Sequence, residues 1–186
     1  MSIHRAVLAL VLCLAAGVAI FEKSRTKTIE TPDGPVTAIT RTVDPTPQEI
    51  VVASGEQLES INALAARART FASTYLPHVQ NPTLKDFDEA FRIWQKSKDK
   101  RFSEHEVIEV LGAHLGNTLN IELDMEWVIV TDKDGRDYGV RGKKHEVISY
   151  PFSSVAKRVE SNQYDFMAGV FYVVRDMLSS GNSKTR

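Results

Sequence analysis

The spacing of apolar residues changes once along this chain, and that change limits the folds open to it. Between Leu58 and Leu119 apolar side chains recur every three or four residues, the period of an amphipathic helix. From Ile121, the residues Ile121, Leu123, Met125, Trp127 and Ile129 instead recur every second residue, the period of a strand. The first of these also fit the end of the preceding helix, so the strand is expected from Met125 onward. The helical part divides at Pro77 and at Ser103 into three stripes. Leu58, Ile61, Leu64, Ala65, Ala68, Phe71 and Leu76 form the first, Leu84, Phe87, Phe91 and Trp94 the second, and Ile108, Leu111, Leu115 and Leu119 the third. Each follows a capping signature: Ser54 with Gln57, Thr83 with Asp86, and Ser103 with Glu106.

After the strand, Asp132-Lys133-Asp134-Gly135 reads as a turn in which Gly135 supplies a positive φ. Residues 138–141 and 146–150 read as two further strands, separated by Gly142 and the Lys143-Lys144 pair. Pro151 suits the first position of a helix carrying Phe152, Val155 and Val159 on one face. A last helix is expected over about 164–178, stopping near Gly181. The expected fold is therefore α+β: three helices, a three-stranded antiparallel meander, then two helices, preceded by an N-terminal apolar helix and linker.

Residues 6–21 form an unbroken apolar or small run behind Arg5, the shape of a secretory signal peptide or a single-pass membrane anchor. Sixteen residues at a rise of ~1.5 Å span roughly 24 Å, a little short of a ~30 Å hydrocarbon core. Lys23, Arg25 and Lys27 follow the run and resist translocation of what comes after. Both readings place the chain at a cell envelope, either as a single-pass membrane protein or exported to the periplasm. Cys13 lies within the run behind Leu12 rather than a small residue, which disfavours lipidation and leaves it as apolar filler. Residues 24–53, rich in Thr and Pro, read as a linker, with a short strand near Val36 as the alternative. The domain is expected over 54–181 and a disordered tail over 182–186.

Composition excludes several classes. The 186 residues are 42% hydrophobic and 25% charged, enough apolar content for a core. The 23 basic residues against 24 acidic ones leave a formal charge of −1, which argues against nucleic acid as a partner. A single cysteine excludes a disulfide framework and a multi-cysteine zinc site.

Several short motifs in this pattern are familiar. Leu111-Gly112 and Leu115-Gly116 lead into Met125-Glu126-Trp127, followed by Asp134-Gly135, Pro151-Phe152 and Lys157-Arg158-Val159-Glu160. Over roughly residues 83–178 they resemble the bacterial family catalogued as domain of unknown function 3806. The resemblance implies a bacterial source and an α+β domain. It implies no activity, cofactor or catalytic residue.

Four groups of residues merit testing as sites. Gly112 and Gly116 lie four apart on one helix face, which fits a close crossing of another element or a ligand against bare backbone, with packing favoured. His114 sits between them, off the apolar stripe, so it is expected exposed or at a cleft rim. Trp127 is expected in the core, with a pocket above the sheet as the alternative. In the last helix Phe166, Val170, Val173 and Met177 form one stripe, and Met167, Phe171, Val174 and Leu178 another. That helix is wrapped on two sides or leaves a face for a protein partner, with Tyr172 at its edge.

His105-Glu106-x-x-Glu109 is half of a zinc-protease helix, since the second histidine is replaced by Glu109. Helix capping explains its acids better. The carboxylates of Glu122, Asp124 and Glu126 would line one strand face, where cross-strand pairing with Arg136, Arg141, Lys143 and Lys144 is favoured over cation binding. The reading these features favour is a non-enzymatic interaction or binding module at the bacterial envelope, with no cofactor and no catalytic set. The alternatives are a metal-assisted hydrolase using His105, Glu109 and His114, and a toxin-neutralising immunity protein.

Overall fold

The computed structural model describes residues 7–8, 24–32, 34–41, 48–143 and 147–181. The fold is α+β, with helices and antiparallel strands segregated along the chain. The three capping signatures lie where helices begin. Ser54 precedes α1 (Gly55–Ala66), Thr83 precedes α3 (Leu84–Lys96), and Ser103 precedes α4 (Glu104–Glu122). In each box the backbone N–H of the cap residue donates to the side chain three positions on, at 2.7–2.9 Å. The first helical stripe is divided. Arg67 donates its N–H to the Leu64 carbonyl at 3.0 Å, a tighter turn that separates α1 from α2 (Ala68–Tyr75).

Strand β5 (Met125–Asp132) and β6 (Gly135–Gly142) form a hairpin around Gly135, at φ +137. Strand β7 (Ile148–Ser149) adds to β6, and α5 (Pro151–Ser161) follows with its proline in the first turn. The last helix, α6 (Met167–Gly181), begins later than the apolar spacing predicts, because Asp165 takes a positive φ of 99 just before it.

The expected three-stranded meander is a four-stranded sheet. Strand β4 (Glu49–Val52) pairs antiparallel with β5, from Glu49 against Thr131 to Val52 against Val128, giving the order β4-β5-β6-β7. Its β-branched Ile50, Val51 and Val52 suit an extended backbone. The stretch expected as a linker holds two more strands, β2 (Ser24–Ile29) and β3 (Val36–Arg41), paired as a hairpin. Pro32 and Pro35 do not break it because both lie in its turn. There Gly34, at φ +107, donates its N–H to the Thr31 carbonyl at 3.0 Å.

A two-residue strand, β1 (Val7–Leu8), runs parallel to β3. The rest of the predicted anchor or signal, Cys13 included, lies outside the described residues, as does the 182–186 tail. Among the described residues no helix is long and apolar enough to cross a membrane.

One core joins the helices to the inner face of the sheet. Phe71, Phe87, Phe91, Trp94, Leu111, Leu115 and Phe166 are fully buried, and Trp127 reaches them from β5. The indole N–H of Trp94 donates to the Phe102 carbonyl at 2.9 Å, so its polar atom is satisfied inside the core.

Candidate functional site

The glycine face of α4 is a packing surface. A Cβ at Gly112 would stand 2.6 Å from Cδ1 and 2.9 Å from Cα of Phe152, and one at Gly116 would stand 2.1 Å from the Trp127 ring. Both glycines are buried, so α5 and β5 occupy the space their missing side chains leave. Trp127 is buried in the core, as expected. Its indole N–H donates to Oδ1 of Asn117 at 2.9 Å, and the Asn117 amide donates to Oδ1 of Asn62, also at 2.9 Å. A polar chain thus runs from the sheet through α4 to α1.

The last helix is wrapped. Phe166 and Val170 are buried, with Met167, Val173 and Val174 beside them. On its other side Lys27 of β2 pairs with Asp176 at 2.5 Å, and Ile29 joins the core. Tyr172 is half-buried, with the Arg175 guanidinium 4.6 Å from its ring centroid.

The start of α6 is held by a residue the sequence did not single out. Asp88 of α3, itself buried, accepts the backbone N–H groups of Phe166, Met167 and Ala168 at 3.1, 2.8 and 3.3 Å. Phe166 has no side-chain acceptor, so the cap comes from another helix. Burial pushes the Asp88 carboxyl up to about 7, against the downward pull of the three N–H groups. Arg158 of α5 is buried nearby, its guanidinium 5.5 Å from the Phe166 ring centroid. Burial lowers its pKa while the charge of Asp88 opposes that shift.

The residues of the hydrolase alternative are spread along α4. His105 is exposed in the first turn and stands 3.3 Å from Glu109. His114 lies nine residues on, roughly 13 Å along the axis. It is half-buried rather than exposed, its ring 4.1 Å from that of Phe87. Burial lowers the pKa of His114 to about 4, with the charge of Arg69 adding to the effect, so at neutral pH it is an uncharged ring on the core's flank. Among the described residues no three His, Cys, Asp or Glu side chains converge to hold a metal.

The acidic strip is paired across the strands. Glu126 accepts from Arg141, its register partner, at 2.6 Å, and Asp124 pairs with Lys143 at 2.5 Å. Glu122 is the last residue of α4 and does not reach the strand.

What remains open is the edge of the sheet. Among the described residues, β4 has a neighbour on one side only. Val51 is 51% exposed and Val52 53%; among the described residues Ile121, at the end of α4, is the other exposed large apolar residue. Sequence reading passed over this strand, although an Ile-Val-Val run just ahead of a helix cap is itself a strand signal.

These features define a small α+β domain whose buried polar groups brace its own helices and whose sheet ends in an apolar edge. Residues 86–171, from the start of α3 into α6, match the family model described as a domain of unknown function, DUF3806. The match covers less than half of the chain, and α1, α2 and β4 lie outside it. A crystal structure from Bacteroides thetaiotaomicron VPI-5482 has a similar fold, with a TM-score of 0.50 and 15% identity over 67% of this chain. The matched region is 46% of that protein, so the chain spans less than half of it. No curated protein matches the chain.

Proposed function

We propose that this protein is a non-enzymatic protein-binding module of the bacterial envelope, held there by residues 6–21, and that β4 is the edge it presents to partners. The observation that carries this reading is the pair of exposed valines on a strand that, among the described residues, has a neighbour on one side only. A sheet edge offers unpaired N–H and C=O groups to another extended chain, and natural proteins usually blunt such edges with lysine, proline or a covering element. Here residues 49–52 hold one glutamate, no lysine and no proline.

The test is affinity purification of tagged full-length protein from cross-linked native membranes, with a Val52→Pro variant alongside. A partner recovered with the wild type and lost with Val52→Pro supports the docking edge. Recovery of the same partners by both proteins overturns it, and a chain found wholly in the cytosolic fraction overturns the envelope assignment.

A further inference from the structure

The alternation of hydrogen bonds along β4 says which of its main-chain groups face away from β5. Ala53, just past the strand, donates its N–H to the Trp127 carbonyl at 3.0 Å. Antiparallel strands alternate bonded and non-bonded pairs, so Val51 and Glu49, two and four residues earlier, also turn their main-chain groups toward β5. Ile50 and Val52 therefore turn theirs outward.

We propose that the outward side of β4 pairs with β4 of a second copy of this chain, joining two four-stranded sheets into one. The proposal rests on β4 being the docking edge and adds the occupant. An antiparallel pair with its two-fold axis at Val51 lets Ile50 exchange hydrogen bonds with the partner's Val52, and Val52 with the partner's Ile50. Val51 then faces the partner's Val51 across a non-bonded position, where side chains approach most closely. The strand's one charged residue, Glu49, falls opposite the partner's Ala53, so no like charges meet.

Length also favours a second copy. On the helix side the strand stops at Ser54, whose N–H is already donated to the Gln57 side chain at 2.7 Å. On the other side the strand begins at Glu49. A long extended peptide would find partners only along this short run, whereas a second β4 matches it end to end. So short an edge falls below the ~1,000 Å² of a stable interface, so the dimer is weak and depends on concentration.

Two measurements on full-length protein in detergent test this. In a Cys13→Ser background, Val51→Cys is oxidised and compared with Glu59→Cys, which is exposed on α1. Facing non-bonded residues have a Cα separation that suits a disulfide. The expected result is a cross-linked dimer at least tenfold more abundant from Val51→Cys. In sedimentation, the average mass of the wild type is expected to rise with concentration. Val52→Pro is expected to stay monomeric with an unchanged denaturation midpoint, since it removes only an outward N–H.

Equal cross-linking at the two positions, or a wild type that stays monomeric throughout, overturns the second copy as occupant. A monomeric wild type that loses a membrane partner on Val52→Pro overturns this inference and leaves the docking edge standing. A dimer that Val52→Pro does not weaken overturns both.

Discussion

Trp127 lies so close against Gly116 that a Cβ on the glycine would stand 2.1 Å from the indole ring. The ring cannot simply swing aside, because its N–H is held by Asn117 and its backbone by the β5 ladder. Gly116→Ala gains about 1 kcal/mol of helix propensity. Overpacking costs about 1–3 kcal/mol or more. At so short a distance the larger figure governs, and a net loss of about 2 kcal/mol is expected in urea denaturation. Combined with Trp127→Leu, the same substitution should cost much less than it does alone. Simple additivity of the two changes would show that the ring is not what the alanine meets.

Asp88 caps a helix whose start lies 78 residues further along the chain. Asp88→Ala leaves three N–H groups without their acceptor, two of them buried, and is expected to destabilise the fold by about 2–4 kcal/mol. Asp88→Asn retains one acceptor oxygen and should lose less. Amide exchange at Phe166, Met167 and Ala168 should rise in both variants. Unchanged protection there would remove Asp88 from the capping role.

His114 makes stability depend on acid. Unfolded, its ring takes a proton near 6.5; folded, burial delays that until about 4. Between those values the unfolded chain binds more protons. The contribution of His114 is therefore complete above 6.5 and is lost as pH falls toward 4. Asp88 works in the opposite direction. Its folded value of about 7 exceeds the ordinary 3.8, so its contribution is complete below 3.8 and is lost as pH rises through 7. His114→Leu should flatten the acid side of the stability profile and leave the Asp88 slope intact. An unaltered profile between pH 6.5 and 4 would mean that His114 titrates normally in the folded protein.

The β2–β3 hairpin is attached to α6 partly through Lys27 and Asp176, both partly in solvent. Exposed pairs of this kind contribute about 0–1 kcal/mol, further weakened by salt. Asp176→Asn should leave the global denaturation midpoint within measurement error. Hydrogen exchange in residues 26–37 should rise all the same, because the hairpin opens locally. A large fall in the midpoint would make the pair part of the global fold.

The parts of this fold that were legible in the sequence are those with local causes. Ser54, Thr83 and Ser103 each announce a helix because the cap and its partner lie three residues apart. Gly112 and Gly116 announce a close approach because nothing else tolerates them in a helix. Glu126 and Arg141 could be matched once the hairpin around Gly135 was in place. The features that escaped have distant causes. Asp88 sits in an amphipathic helix like any other acid until α6 arrives to need it. His114 points off the apolar stripe, yet Phe87 of a neighbouring helix covers it. Strand β4 is only four residues long, and its partner in the sheet begins more than seventy residues later.

Only Ala53 and Ser54 separate the end of β4 from the start of α1. Ala53 is buried and tied by its N–H to β5, and the N–H of Ser54 is held by Gln57. A connection that short and that fully bonded has no slack. Any chain seated on the edge is fixed in height and angle relative to the helical layer, so a partner gripping β4 sets the orientation of the whole domain and not merely its position.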